Sequence, residues 1–404
     1  MSNKTIALAV AAALLAGTAH AQGISGDVVK IGIMNGASGP YAAISGKGSV
    51  VAAQMAVEDF GGKVLGKPVQ ILSADHQNKP DIGSAVAREW IDREGVDMIA
   101  DMDTSSVALA VQRLATDKGV LTINTGAGST ALTNEQCTPL GIHYAYDTYA
   151  LAVGIADPVI RAGGDKWFYI TADYAFGHSL EENASNVVKA TGGKNVGAVR
   201  HPFPNNDFSS YLLQAQGSGA NVIALANAGQ DTTNTIKQAG EFGIGRGEQQ
   251  LVGLLVFISE VKSLGLQTAQ GLKFTDSWDW DMNDETREFT KRFMQRHNAA
   301  PTSDQAAVYS AVTQYLKAVE AAGTDQGKAV RAQLGKMTFN DMYHKNAKLR
   351  PDGRVVHDMY LMEVKSPKES KSEWDLVKVI DTIPAEKAFI PLSESKCPLV
   401  KKSS

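Results

Sequence analysis

The chain has only two cysteines in 404 residues, Cys137 and Cys397, and their spacing matches no zinc motif. It has no surplus of positive charge. The formal net charge is −4, and no basic run is present to track a phosphate backbone, which argues against nucleic acid as a partner. Beyond the N-terminal stretch, no apolar run approaches the ~20 residues that cross a bilayer. Familiar catalytic patterns are missing too. There is no G-x-x-x-x-G-K-[ST] phosphate loop and no H-E-x-x-H. The first apolar run leads into Asn35-Gly36-Ala37-Ser38-Gly39-Pro40, which is not G-x-G-x-x-G. Gly177-His178-Ser179 lacks the second glycine of a nucleophile elbow. Asp279-Trp280-Asp281-Met282-Asn283 begins like a calcium loop, but Asp284 stands where glycine is needed and Thr290 where the bidentate Glu belongs. The reading is therefore no enzyme, no cofactor and no metal.

What is present begins with an export signal. Lys4 supplies the positive start, Ile6 to Gly17 the apolar stretch, and Ala19-His20-Ala21 the small residues of a cleavage site before Gln22. Residues 1–21 are thus expected to be removed and the remainder to act in the periplasm. An oxidising compartment favours a disulfide between the two cysteines, pinning the C-terminal tail. Two separate buried thiols are the alternative. A mature chain of this length exceeds one ordinary core, so two domains are expected.

From Val28 onward, short apolar runs alternate with helical stripes. Val107, Ala110, Val111, Leu114 and Ala115 give the clearest helical face. Strands are expected at Val28–Met34, Val69–Ala74, Val96–Met102 and Val120–Asn124, then again at Trp167–Thr171, around Val196, at Asn221–Ala226 and at Leu251–Phe257. Strand–helix alternation means parallel sheets built by crossovers. Past the turn Arg350-Pro351-Asp352-Gly353, Val355–Val364 and Trp374–Ile380 read as antiparallel strands.

Three loops that follow strands are rich in small hydroxyl residues: Ser38 to Tyr41, Asp103-Thr104-Ser105-Ser106, and Thr125 to Thr130. Helix capping explains a Ser or Thr there. The same geometry also offers free N–H groups to a carboxylate, and ligands of open parallel sheets bind at this edge.

At this point a family resemblance is carried by Lys30–Tyr41 (KIGIMNGASGPY), the helix VAAQMAVEDF from Val51, Ala100–Ala110 (ADMDTSSVALA), Ile123–Thr133 (INTGAGSTALT) and Tyr169–Gly177 (YITADYAFG). The chain resembles the branched-chain-amino-acid type of periplasmic binding protein, the soluble receptors of ABC importers. The resemblance implies an α/β, two-lobed type I fold, each lobe a mostly parallel sheet flanked by helices, with the ligand between them. It implies a monomer that delivers a small carboxylate to an inner-membrane permease. The lobes would comprise residues 27–147 with 276–358, and 148–275 with 359–404, hinged near Asp147, Thr275 and Met359. Amino-acid-binding members hold the ligand carboxylate at the loop matching Thr104-Ser105 and the ammonium with a Thr and a Glu. Those two positions match Gly128 and Leu255 here, which argues against an α-amino acid. Aromatic residues Tyr41, Tyr174, Phe176, Trp278 and Trp280 fall toward the expected cleft, as in the branch that imports aromatic carboxylates. Ser106, Gly126, Ser129, Asn227 and Gly229 complete the candidate ligand set. A branched-chain amino acid or amide receptor, or a periplasmic sensor, are the alternatives.

Overall fold

The computed structural model describes residues 23–245 and 247–400. The expected export signal, residues 1–21, lies outside the described residues.

The first sheet contains β1 (Val29–Asn35), β2 (Lys63–Val64), β3 (Lys67–Asp75), β4 (Met98–Asp101), β5 (Leu121–Asn124) and β6 (Gly141–His143). Their order is β2-β3-β1-β4-β5-β6, and all neighbours are parallel except the β2–β3 pair. The chain runs from β1 to β3 on one side and then places β4 on the other side of β1. The C-terminal ends of β1 and β4 therefore form a topological switch point, the place where an open parallel sheet leaves a crevice. Helices α1 (Gly46–Asp59), α2 (Pro80–Glu89) and α3 (Ser105–Asp117) make the crossovers. A five-residue π-helical turn, Trp90–Glu94, prolongs α2.

After α4 (Thr148–Arg161) the pattern repeats with β7 (Lys166–Ala172), α5 (Ala175–Ala190), β8 (Lys194–His201), α6 (Ser209–Gln216), β9 (Val222–Ala226), α7 (Gln230–Glu241) and β10 (Gln250–Gly253). This sheet is parallel, in the order β10-β9-β7-β8. Its switch point lies between β7 and β9. The apolar run expected as a strand over Leu251–Phe257 stops pairing at Gly253; Leu254–Phe257 turn away as a loop ahead of α8 (Ile258–Leu264). A short helix, α9 (Leu266–Ala269), follows.

The chain then forms β11 (Lys273–Asp276), α10 (Asp284–His297), α11 (Ser303–Ala322), α12 (Gly327–Leu334), β12 (Lys348–Leu349), β13 (Val355–Val356), β14 (Met359–Val364), β15 (Val377–Ile383) and α13 (Ala385–Ala388). The stretch Val355–Val364 is two strands rather than one. β13 pairs with β12 across the Arg350–Gly353 turn, whereas β14 pairs antiparallel with both β11 and β15. Among the described residues no helix is long and apolar enough to cross a membrane.

Residues 144–147 run from β6 to α4. Arg354, fully buried, clamps this segment by donating from Nη1 to the Tyr146 carbonyl at 3.0 Å and from Nη2 to the Ala145 carbonyl. Asp147 caps α4 by accepting from the Ala150 N–H at 2.9 Å. The expected disulfide is present: Cys137 and Cys397 are bonded, their Cα atoms 5.6 Å apart. The Lys396 N–H donates to Asn134 Oδ1 beside it, so the tail is docked near the end of the first sheet.

Candidate functional site

Both switch points open onto one narrow cavity. From the first sheet, the loop after β1 contributes Tyr41 and Ile44, the loop after β4 contributes Asp103, and the loop after β5 contributes Gly126. Tyr146 enters from the segment that Arg354 clamps. From the second sheet come Tyr174 and Phe176 after β7, Ala228 after β9, and Leu255 and Phe257 after β10. Five aromatic rings therefore face one space. Tyr41 and Tyr174 meet across it, their hydroxyl oxygens 2.5 Å apart. Phe203 closes the outside of this pair, stacked on Tyr174 with ring centroids at 4.5 Å. Burial, together with the neighbouring Tyr174, pushes the Tyr41 phenol well above its ordinary range, so it acts as a neutral hydroxyl.

The Asp103 side chain is aimed by backbone geometry. Asp101 and Met102 both adopt left-handed φ values, 81° and 59°, a conformation costing roughly 1–2 kcal/mol per non-glycine residue. β4 ends in this kink, which turns residue 103 toward the cavity. There Asp103 Oδ2 accepts from the Gly36 N–H at 2.9 Å and from Ser45 Oγ. Oδ1 accepts from Thr104 Oγ1 at 3.1 Å and lies 3.1 Å from Nε2 of the buried His76. Burial works against the charge. The adjacent His76 and the hydrogen bonds from Ser45 and the Gly36 N–H outweigh it and hold the carboxyl below its ordinary value. The neighbouring buried acids behave in the opposite way. Burial raises Asp101 to about 7, and Asp304 well above its usual value.

Of the residues expected at the ligand, Tyr41, Gly126, Tyr174, Phe176 and Leu255 line the cavity. Gly128 stands directly behind it: a Cβ there would lie 3.0 Å from Phe176 Cε2 and 3.2 Å from Tyr146 Cε2, so the missing side chain lets both rings approach. The hydroxyl loop is used differently from the expectation. Thr104 and Ser105 are fully buried. The Thr104 hydroxyl accepts from Asn78 Nδ2 at 2.6 Å and donates to Asp103, and Ser105 Oγ accepts from the Ser129 N–H at 3.2 Å. Their hydroxyls serve the protein rather than the cavity. Thr104 makes no side-chain cap, however, so no cap hydroxyl claims the first N–H groups of α3, from Ser105 and Ser106 onward.

Ser129 caps the short turn Thr130–Thr133. The Asn227 amide is taken up by Thr232, Thr235 and His201 inside the second sheet's helical layer. Gly229 touches the opposite loop, where a Cβ would overlap the Pro40 carbonyl. Trp278 turns away from the cavity. It stacks on Tyr343 with an interplanar angle of 11° and donates Nε1–H to the Met342 carbonyl. Neither Asp231 nor Asp279 lines the cavity. Sequence reasoning missed Asp103, Ile44, Tyr146, Ala228 and Phe257. The signal for Asp103 was its place at a strand end beside the hydroxyl run. Among the described residues no group of three or more His, Cys, Asp or Glu side chains is placed to hold a metal ion.

A cavity shared by two parallel sheets at their switch points is a receptor arrangement, and residues 28–371 match the family model for periplasmic binding proteins. The chain belongs to that family. This periplasmic binding protein superposes on the crystal structure of a periplasmic binding protein from Burkholderia mallei with a TM-score of 0.91 at 53% identity, covering 93% of this chain and 100% of that one. It is 27% identical over 348 residues to the Leu/Ile/Val-binding protein homolog 6 of Brucella melitensis, covering 84% of this chain and 88% of that protein. An ABC transporter solute-binding protein from R. palustris, solved in complex with benzoate, shares the fold with a TM-score of 0.81 at 21% identity, covering 92% of this chain and 99% of that one.

Proposed function

We propose that this periplasmic binding protein is the solute-receiving component of an ABC importer and that its solute is a small carboxylate with a flat aromatic body. The observation that carries the reading is the set of five rings, Tyr41, Tyr146, Tyr174, Phe176 and Phe257, facing one cavity. Rings stack on rings with a gain of ~0.5–1.5 kcal/mol beyond area burial, and small-molecule sites are mostly apolar with a few placed polar groups. The start of α3, with its first N–H groups unclaimed by a side-chain cap, is the feature suited to the carboxylate. The benzoate-bound R. palustris protein supports a scaffold able to hold such a ligand. Residues 27–147 with 276–358 would form one lobe and residues 148–275 with 359–404 the other, closing about the crossings near Asp147, Thr275 and Met359. An inner-membrane permease would receive the solute.

A second reading, an α-amino acid, is favoured by one observation: an acidic side chain, Asp103, lines the cavity where an ammonium would find it. Calorimetry of the purified protein separates the two. Heats of binding for benzoate and its hydroxylated forms, with none for leucine or valine, support the first. Tight leucine or valine binding with no response to aromatic acids overturns the ligand class and leaves the receptor role standing.

A further inference from the structure

His357 and Asp358 lie between β13 and β14. Arg354, just upstream, forms a bridge to His143 of β6, at the edge of the first sheet, whereas β14 pairs with β11 and β15. His357 therefore stands on a crossing of the chain. Its ring is buried between two backbone carbonyls. Nδ1 lies 2.8 Å from the Asp358 carbonyl oxygen and Nε2 lies 2.5 Å from the Ala145 carbonyl oxygen. Ala145 belongs to the other crossing, the segment from β6 to α4.

Both carbonyls can only accept, and a neutral imidazole carries one N–H. The surroundings do not favour a second proton. The Asp358 carboxylate accepts from the Ala385 N–H at 2.9 Å, and Asp147 lies 3.8 Å from Arg354 Nη1. Around the ring stand Phe389, the Tyr343 phenol, which burial keeps neutral, and His344, with its centroid 4.7 Å away. Burial and the Arg354 charge bring His357 down from 6.5 to about 4. Burial, His357 and Arg354 lower His344 as well. At neutral pH one proton thus serves two carbonyls.

Its two positions differ in consequence. On Nε2 the proton joins the crossing at Ala145 to the crossing at His357. On Nδ1 it binds the ring to its own neighbour, and Ala145 keeps only the donor from Arg354 Nη2. The residue after Ala145 is Tyr146, whose ring lines the cavity.

We propose that His357 is a two-position clasp on the hinge: with its proton on Nε2 it ties the two crossings together and favours closed lobes, and with its proton on Nδ1 it releases Ala145 and favours open ones. The inference rests on the reading that the lobes move about these crossings. His357 does not line the cavity. It is a positioning residue, acting through Ala145 and Tyr146 on a two-state element.

The first test needs no change to the ring. NMR of the full chain, labelled with ¹⁵N at histidine and held at pH 7, is expected to show a neutral His357 with both nitrogens between the donor and acceptor extremes. The signals are assigned by their loss in His357→Gln. A ring fixed in one tautomer, or charged at pH 7, overturns the proposal. The second test separates the two positions. The amide nitrogen of His357→Gln takes the place of Nε2, and that of His357→Asn the place of Nδ1. Small-angle scattering without solute is expected to give a compact radius of gyration for the Gln variant and a larger one for the Asn variant. Equal radii in the two folded variants, or the reverse order, overturn the inference. The unmodified chain is then titrated with benzoate or leucine, whichever calorimetry shows to bind. A radius that shrinks on binding while the variants stay equal removes the inference alone; a radius that stays fixed with solute bound removes the hinge reading as well.

Discussion

On the first-sheet side of the cavity, Asp103 is held by three hydrogen bonds in fixed directions, from Gly36, Ser45 and Thr104. On the second-sheet side, the Phe176, Leu255 and Phe257 side chains are held by packing. Directional contacts fail when the donor–acceptor pattern changes, even if shape is conserved. Packing fails when volume changes and tolerates a swap of similar size. The same cavity therefore has one wall that specifies chemistry and one that specifies shape.

The largest expected effect comes from removing the acid altogether. Asp103→Ala strands the donors of Thr104, Ser45 and Gly36 in the interior and is expected to destabilise by about 3–5 kcal/mol. The check is a fall in the denaturant midpoint at constant slope. Asp103→Asn should recover only part of this, since an amide restores the shape but brings a second set of donors to groups that already donate.

At the other wall, Phe176→Ala is expected to cost about 3 kcal/mol, the lower end for a large aromatic because the ring already borders empty space. Phe176→Leu should cost less than ~1.5 kcal/mol. If leucine proves as damaging as alanine, the second wall is directional too and the contrast between the walls falls.

Acidity separates the walls in sign. Near the second sheet, burial raises Glu260, which accepts from the Phe257 N–H at 2.6 Å, to about 8 from an ordinary 4.5. Its contribution to stability is full below pH 4.5 and is lost as pH rises through about 8. Asp103, held below its ordinary 3.8, contributes above that value and loses its contribution as pH falls through its lowered pKa. Melting temperature followed across pH should then show Glu260→Gln flattening the decline between pH 4.5 and about 8 and Asp103→Asn flattening the acid limb. Identical slopes in both variants would contradict the assignment.

The smallest effect belongs to the contact joining the walls. Tyr41→Phe or Tyr174→Phe each removes the same hydroxyl pair and should cost about 1 kcal/mol. The double variant should cost no more than either single one, because both singles delete one interaction.

The sequence made the alternation of strands and helices legible, because each crossover needs an apolar strand and an amphipathic helix of characteristic period. It made the loops at the strand ends legible as well, through their hydroxyl and aromatic content. It did not make side-chain direction legible. Thr104 and Ser105 stand at the start of α3, and their hydroxyls point into the protein, a fact decided by Asn78 and the Ser129 N–H from other segments. Trp278 shares the aromatic signature of Phe176 but packs on Tyr343 instead. The continuous apolar run Leu251–Phe257 concealed a strand end, since apolar residues suit a buried strand and a cavity-lining loop equally. The strained pair Asp101–Met102 that aims Asp103 carries no glycine to announce it.

The Cys137–Cys397 bond, spanning 260 positions, makes a closed covalent ring of most of the chain. The whole second sheet and the strands β11 to β15 lie within that ring, while β1 to β5 belong to a linear arm that enters it at Cys137. A single backbone cut between residues 138 and 396 opens the ring without dividing the molecule. The two resulting pieces remain one particle until the sulfur bridge is reduced. A cut in the arm instead releases a fragment held only by non-covalent contacts. The two halves of the cavity thus differ in their resistance to proteolysis as well as in their chemistry: the apolar half lies inside the ring, and the acid at position 103 lies on the arm.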